Sequence, residues 1–553
     1  MKNQILNFWF LVLFLSACAS PELAVRKPSS GEAPDYPALF KKSRELLIPA
    51  SKEFKNVPEH YVIGEFQDHP ELLAKAKQDL IQEITVHAPK TPDLTKHTRL
   101  IPPPGLPGYS DMKLYVNHPY YQNGVLVQPT NLIEVWRKFI LSAEKEIILN
   151  VFDFDLEEVA DALIEQAHRG LYVQVGIDKK SVIDVRAEVK AVSDRLIENG
   201  VHVTGVIPVG LNHQKITAID WSNPKKASVL FSSGNLTRSC LEPQGDLKGT
   251  VPLPKESVPN ANHFITMKSW LLANLVHHEL TKTLSSEYLL RGKAYPLNGS
   301  YQITGPGVDP YTYEAYPEPS LTISFTPGGG MKSVNKNMIA HFVKQEKGRI
   351  RMLQFAYSSS EVDKALLERA ESDYQRTKTF DFLSVGDTPF AMREWSRFLI
   401  MSGMKRVEDA NKKKTYLADP ENEWVKRLGT ERVNEIQKKV YIAPKVYGNN
   451  WAVVAGKKVK VNAKIHHKIL ATENYAIMGT SFNFSEGAES NNEQILVFRD
   501  RKLSDAVDGM VKYLVEHSPG TVAEEGARRN KFGGDDEAGG DPEDRQVGLK
   551  SVR

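Results

Sequence analysis

One pattern is written twice in this chain, and the repetition dictates a fold of two similar halves. LNHQKITAID, with His213, Lys215 and Asp220, returns as KIHHKILATE, with His466, Lys468 and Glu473. Each copy is followed by Ser-x-Asn, as Ser233 and Asn235 in FSSGN and as Ser481 and Asn483 in GTSFN. Upstream of each motif lies a second match, EKEIILNVFDFDLEEVADALIEQAHRG (144–170) against EKGRIRMLQFAYSSSEVDKALLERAES (346–372). Both stretches read in order as strand, short polar turn and helix with apolar residues at helical spacing. Gly170 ends the first helix, and Leu171 to Ile177 reads as the next buried strand. Strands alternating with helices predict an α/β sandwich in each half.

The duplicated residues name their own chemistry. On a strand, side chains two apart share a face, so each copy presents an imidazole beside an ammonium, a pairing suited to a phosphate. One histidine per copy implies a single shared site. At these residues the chain is similar to the phospholipase D superfamily, whose motif is H-x-K-x4-D followed by G-S-x-N. Three features depart from that motif: Glu473 stands in place of Asp, Ser232 and Thr480 in place of Gly, and the loop from Trp221 to Phe231 is longer than the usual spacer. The resemblance implies two tandem α/β/α sandwich repeats packed face to face around the shared site.

It also implies a division of labour. Lys215, Lys468, Asn235 and Asn483 would hold the non-bridging phosphate oxygens, beside Ser233 and Ser481. One histidine would attack phosphorus and the other protonate the leaving alcohol, with His213 taken as nucleophile and His466 as acid and base, an assignment open to exchange. Glu493, in SNNEQILV, stands where the family places an acid that orients the motif histidine, and is assigned to His466. The aligned stretch NANHFITM has Asn262 instead, so His213 either takes Asp246 or lacks an acidic partner. Asp220 and Glu473 read as structural partners of basic groups. His467 should face away from His466, toward a surface or core hydrogen bond. His277-His278 lacks ligand-spaced neighbours for a metal. Thr326-Pro327-Gly328-Gly329-Gly330 lacks the ending of a phosphate-binding loop and reads as a turn. With lysines holding the phosphate, no cofactor or divalent ion is expected.

The N-terminus MKNQILNFWFLVLFLSACAS reads as a signal peptide over 1–17, with a lipobox-like Leu15-Ser16-Ala17-Cys18 that would be cleaved and acylated at Cys18. Cys240 would then be the sole remaining thiol, and no internal disulfide could form. Residues 18–110 read as a tether and extension, with a helical pattern at Leu72 to Ile84 and a Pro-rich boundary from Ile101 to Gly108. Repeats are expected over 111–300 and 315–517, with an insert from about Tyr374 to Val459 carrying the basic runs Lys412-Lys413-Lys414 and Lys457-Lys458, most simply a solvated face. The tail, 518–553, reads as disordered.

A formal charge of +3 leaves no global field to gather nucleic acid, and 41% apolar content supports a packed core. The resemblance to the phospholipase D superfamily, with the lipobox-like N-terminus, implies an anchored enzyme of the bacterial cell envelope that hydrolyses phospholipid headgroups or exchanges them with an alcohol at a membrane surface. The alternatives are an envelope nuclease guided by the basic insert, a cardiolipin synthase-like transferase, and a non-catalytic binding protein of the same fold. The sequence leaves the oligomeric state open.

Overall fold

The computed structural model describes residues 98–100 and 107–532, apart from 207, 209, 244–256, 286–299, 304–319, 327–333, 411–412, 448–449, 455–456 and 462. Cys18, the pattern at Leu72 to Ile84, most of the Pro-rich boundary and Asp246 lie outside the described residues.

Each half is built on a mixed sheet. The first has seven strands in the order Ser110–Val116, His263–Lys268, Ser228–Ser232, Lys215–Ile219, Glu146–Val151, Tyr172–Asp178 and His202–Val206. The last three run parallel and the others antiparallel. Glu146–Val151 is buried at every residue, as a strand covered on both faces must be. The second sheet repeats this order with Leu321–Thr326, Glu493–Arg499, Tyr475–Met478, Lys468–Ala471, Ile350–Gln354, Phe382–Gly386 and Val440–Ile442.

Apolar side chains sort into three main clusters that define the layers. One lies outside each sheet, under helices such as Glu157–His168 and Ser360–Thr377. The third joins the inner faces, where Ile148, Ile216 and Phe231 of the first sheet share a core with Leu353, Ile469 and Leu496 of the second and with Leu272 and Met510 of two intervening helices, Trp270–Ser285 and Arg501–Glu516. The expected pair of α/β/α repeats packed face to face is what the chain forms. No helix among the described residues is long and apolar enough to cross a membrane.

Four boundaries differ from the sequence reading. Val151 lies opposite Lys215 and Gln354 opposite Lys468, so the true repeat register pairs Phe152 with Phe355 and is one residue off the sequence match. Within 374–459, the strands Phe382–Gly386 and Val440–Ile442 belong to the repeated sheet, and the additions are short helices and two hairpins, Met404–Glu408 with Lys414–Ala418 and Asn450–Val454 with Lys457–Val461. Thr98–Leu100 from the expected extension and Ser300–Ile303 from the expected end of the first repeat extend the edge of the second sheet. The tail begins with a helix, Val522–Phe532, where disorder was expected. Its polar sequence is held by Val522, fully buried, by Glu525 paired with Arg528 and Arg529, and by Asn530, whose amide oxygen accepts from Tyr416 N–H at 2.8 Å.

Candidate active site

The halves are laced together at the motif histidines. His213 N–H donates to Asn492 O (3.0 Å), and Asn492 N–H donates back to Leu211 O (2.8 Å). In the pseudo-equivalent bridge, His466 N–H donates to Ala261 O (2.9 Å) and Ala261 N–H to Lys464 O (2.7 Å). Each bridge sets the next residue of one half against the histidine of the other. Glu493 therefore meets His213, with Oε2 at 2.8 Å and Oε1 at 2.9 Å from Nδ1. Asn262 meets His466, with Oδ1 at 3.0 Å from Nδ1. This reverses the sequence assignment of Glu493 to His466: partners of motif histidines are chosen across the halves, and His213 has its acid.

Two aspartates that the sequence reading missed support the lacing. Asp178, at the end of its strand, accepts from Asn212 N–H (2.8 Å), and Asp387 accepts from Ile465 N–H (2.9 Å). Both follow a Gly-containing apolar strand, a second duplicated signal visible in VGID and SVGD.

The Asn262 amide has one sensible orientation. Its nitrogen donates to Asn260 O (2.9 Å) and Cys240 O (3.2 Å), so its oxygen is the atom facing His466 and Ser233 Oγ, which donates at 2.9 Å. His466 then carries hydrogen on Nδ1 and turns its Nε2 lone pair to Lys468 Nζ, 3.0 Å away. Lys215 Nζ donates to His213 O at 2.8 Å and Lys468 Nζ to His466 O at 3.1 Å. The paired rings of the corrected register lie beneath these groups. Phe152 is 5.5 Å from the His213 ring and 5.7 Å from Lys215 Nζ, and Phe355 is 4.7 Å from the His466 ring and 5.1 Å from Lys468 Nζ.

His213, Lys215, Lys468 and Glu493 are all at 0% exposure and His466 at 2%, an environment from which water is excluded and in which aimed dipoles act strongly. Asn235 and Asn483, each 3% exposed, directly precede the bridges Phe154 to Leu236 and Tyr357 to Phe484, which hold them beside the strand ends bearing Phe152 and Phe355. The serines brace neighbouring strands: Ser233 Oγ accepts from His263 N–H (3.0 Å) and Ser481 Oγ from Gln494 N–H (2.8 Å). Asp220 and Glu473 sit at the far ends of the motif strands. Asp220 accepts from the backbone of Lys145 (2.8 Å), and Glu473 pairs with Arg501 (2.6 Å).

His467 does face away from His466, into a buried chain of imidazoles that no motif or spacing announces. His118 Nδ1 must donate to Pro119 O (2.7 Å), which leaves its Nε2 to accept from His467 Nε2 (2.8 Å). His467 Nδ1 in turn accepts from His263 Nδ1 (3.0 Å). His118 and His263 come from the first half and His467 from the second. Burial pushes His118 down to about 4, His263 to about 3, and His467 well below its ordinary value, helped for the last two by the positive charge of Lys468 and by neighbouring imidazoles. Their nitrogens pair in sequence rather than converge, and no group of three or more potential ligands among the described residues could hold a metal ion. His277 stacks on Trp221, ring centroids 4.2 Å apart.

Residues 137–254 match the family model described as cardiolipin synthase, PLD-like domain. No curated protein matches the sequence. Among solved structures, Nuc from Salmonella typhimurium, a phospholipase D family member, aligns with 32% of this chain and 94% of its own at 16% identity and a TM-score of 0.23. Phosphatidylserine synthase from Haemophilus influenzae aligns with 76% of this chain and 90% of its own at 11% identity and a TM-score of 0.46. Polyphosphate kinase from Porphyromonas gingivalis aligns with 76% of this chain and 55% of its own at 12% identity and a TM-score of 0.40.

Proposed function

We infer, with membership of the phospholipase D superfamily as the premise, that this chain cleaves or exchanges a phospholipid phosphodiester through a phosphohistidine on His213. The observation that carries the reading is the crossed pairing, which makes the two histidines unequal. With Glu493 on its Nδ1, His213 attacks phosphorus through Nε2, and the carboxylate offsets the positive charge that the ring acquires. His466 faces a neutral amide. Protonated at Nε2, it gives that proton to the departing alcohol as the P–O bond breaks, with no carboxylate to hold it back. A water or alcohol then attacks phosphorus, His466 takes its proton, and the P–N bond breaks to restore His213. Lys215 and Lys468 keep the phosphate's negative charge matched throughout.

A lipid substrate is supported by the description of the matching family model and by the lipobox-like Cys18, which would raise the local concentration of the site at a membrane surface. His213→Ala and His466→Ala are each expected to abolish turnover of phospholipid vesicles. Labelled phosphate should be trapped on His213, and its recovery on His466 would exchange the two roles. An added primary alcohol should divert product to a phosphatidyl alcohol. Nicking of plasmid with vesicles left intact replaces the lipid reading with the nuclease one. Anchoring is tested separately: Cys18→Ser should lose partition into a detergent phase, and an unmodified mature N-terminus beyond residue 18 would refute the anchor.

A further inference from the structure

The acid that faces His213 is itself held by a neighbour. Asn491, two residues before Glu493, donates from Nδ2 to Glu493 Oε1 at 3.1 Å, and its own Oδ1 accepts from Leu211 N–H at 2.9 Å. The Leu211 N–H can only donate, so the amide has one sense, with oxygen toward Leu211 and nitrogen toward the acid. Its backbone is fixed on both sides: Thr326 Oγ1 donates to its carbonyl (2.8 Å), and its N–H donates to Ala488 O (3.1 Å). The amide is also closely packed, since a Cβ on Gly210 would stand 2.3 Å from Asn491 Oδ1. Leu211 lies two residues before His213, so this one amide spans from the backbone that carries the imidazole to the carboxylate that faces it. The other bridge repeats half of the device. Asn260, two residues before Asn262, accepts from Lys464 N–H (2.8 Å), two residues before His466. There the partner of the histidine is an amide, which turns its nitrogen to Asn260 O (2.9 Å).

We propose that Asn491 is a positioning residue for the reaction: it fixes which end of Glu493 faces His213, and through it the imidazole tautomer with hydrogen on Nδ1 and a lone pair on Nε2. The inference rests on the phosphodiesterase reading and deepens it by giving a role to a residue outside the duplicated His-Lys-Ser-Asn set. With Oε1 engaged by Asn491, Oε2, 2.8 Å from Nδ1, takes the ring hydrogen. The two oxygens of a carboxylate are alike, so the choice is hidden in the wild type. An amide at this position exposes it. In Glu493→Gln, Asn491 draws the amide oxygen to its own nitrogen and leaves the NH2 against Nδ1, which must then offer a lone pair. The ring hydrogen moves to Nε2, and the attacking lone pair is lost.

The test exchanges the two groups. In Asn491→Asp/Glu493→Gln, the new carboxylate keeps one oxygen on Leu211 N–H and accepts with the other from the new amide's nitrogen, so the amide oxygen turns to His213 Nδ1. This double variant should turn over bis(p-nitrophenyl) phosphate about tenfold faster than Glu493→Gln alone, a coupling of about 1.4 kcal/mol, with KM unchanged. Nitrogen-15 spectra of the His213 ring, identified by its loss in His213→Ala and recorded where the ring is neutral, read the tautomer without need of turnover. Hydrogen should lie on Nδ1 in the wild type, on Nε2 in Glu493→Gln, and on Nδ1 again in the double variant. Asn491→Ala/Glu493→Gln lifts the constraint without adding charge and should also return hydrogen toward Nδ1, which keeps the test alive if the exchanged pair folds poorly. Asn260→Asp/Glu493→Gln puts the same charge in the other bridge and should recover neither rate nor tautomer. Hydrogen on Nε2 in the wild type, or a tautomer that stays on Nε2 in both Asn491 double variants, overturns the proposal whatever the rates. Recovery of the tautomer without recovery of rate, or a wild type without turnover, leaves the positioning role standing and sinks the catalytic reading of His213.

Discussion

At the scale of single residues, the chemistry turns on which neighbour each imidazole has. Glu493→Gln keeps shape but removes the charge facing His213, and kcat should fall by roughly a hundredfold to a thousandfold with little change in the melting temperature. Asn262→Asp does the opposite for His466. A carboxylate there favours the protonated ring, so the basic limb of the rate profile should move about one pH unit upward, a shift that a purely structural role for Asn262 would not produce. The histidines, lysines and asparagines of the candidate site could be picked out in the sequence because the duplication repeats them at fixed spacing. Their partners could not. Glu493 is 280 residues from His213, and the bridge that joins them follows from packing of one half on the other, which no local spacing encodes.

At the scale of elements, the strand and helix order was legible wherever apolar runs were long, as in Glu146–Val151 and Tyr172–Asp178. It failed in the second half, where Phe382–Gly386 and Val440–Ile442 are short and separated by four short helices and a hairpin, so that repeated strands passed for an insert. The element that best shows how the halves are fitted is the hairpin Tyr120–Gln122 with Val125–Val127, turned at Asn123-Gly124 with both residues at positive φ. It crosses the helix Arg501–Glu516 at Gly509, where an added Cβ would stand 1.6 Å from Tyr121 O. In most helices Gly→Ala stabilises. Here Gly509→Ala should instead destabilise by about 1–3 kcal/mol, read as a lowered urea midpoint. Gly487→Ala, where a Cβ meets open space, is the control and should stay within about 0.5 kcal/mol of wild type.

At the scale of the whole molecule, the imidazole chain through His118, His467 and His263 makes the join between the halves sensitive to acid. These rings stay neutral in the folded protein down to pH values where the unfolded chain, titrating near 6.5, has already taken up protons. Stability from each is therefore whole above pH 6.5 and declines toward pH 4, at up to about 1.4 kcal/mol per pH unit. Asp363 and Glu489, both raised by burial to about 7, work in the opposite direction over the same range, so the total slope is a partial cancellation. Comparing wild type with His467→Gln isolates the imidazoles: the variant's melting temperature should vary less steeply between pH 6.5 and 4, and an identical slope would remove the chain from the account. The crossed lacing bears on time as well as on place. A chain that emerges from its N-terminus exposes His213 long before Glu493 exists, and the strand Glu493–Arg499 must slot between two others, Leu321–Thr326 and Tyr475–Met478, before the acid reaches its ring. Closing so long a loop is costly and comes late in folding. On the function proposed above, the growing polypeptide has no complete site until this strand is seated, and the site is finished in a single step near the end of folding.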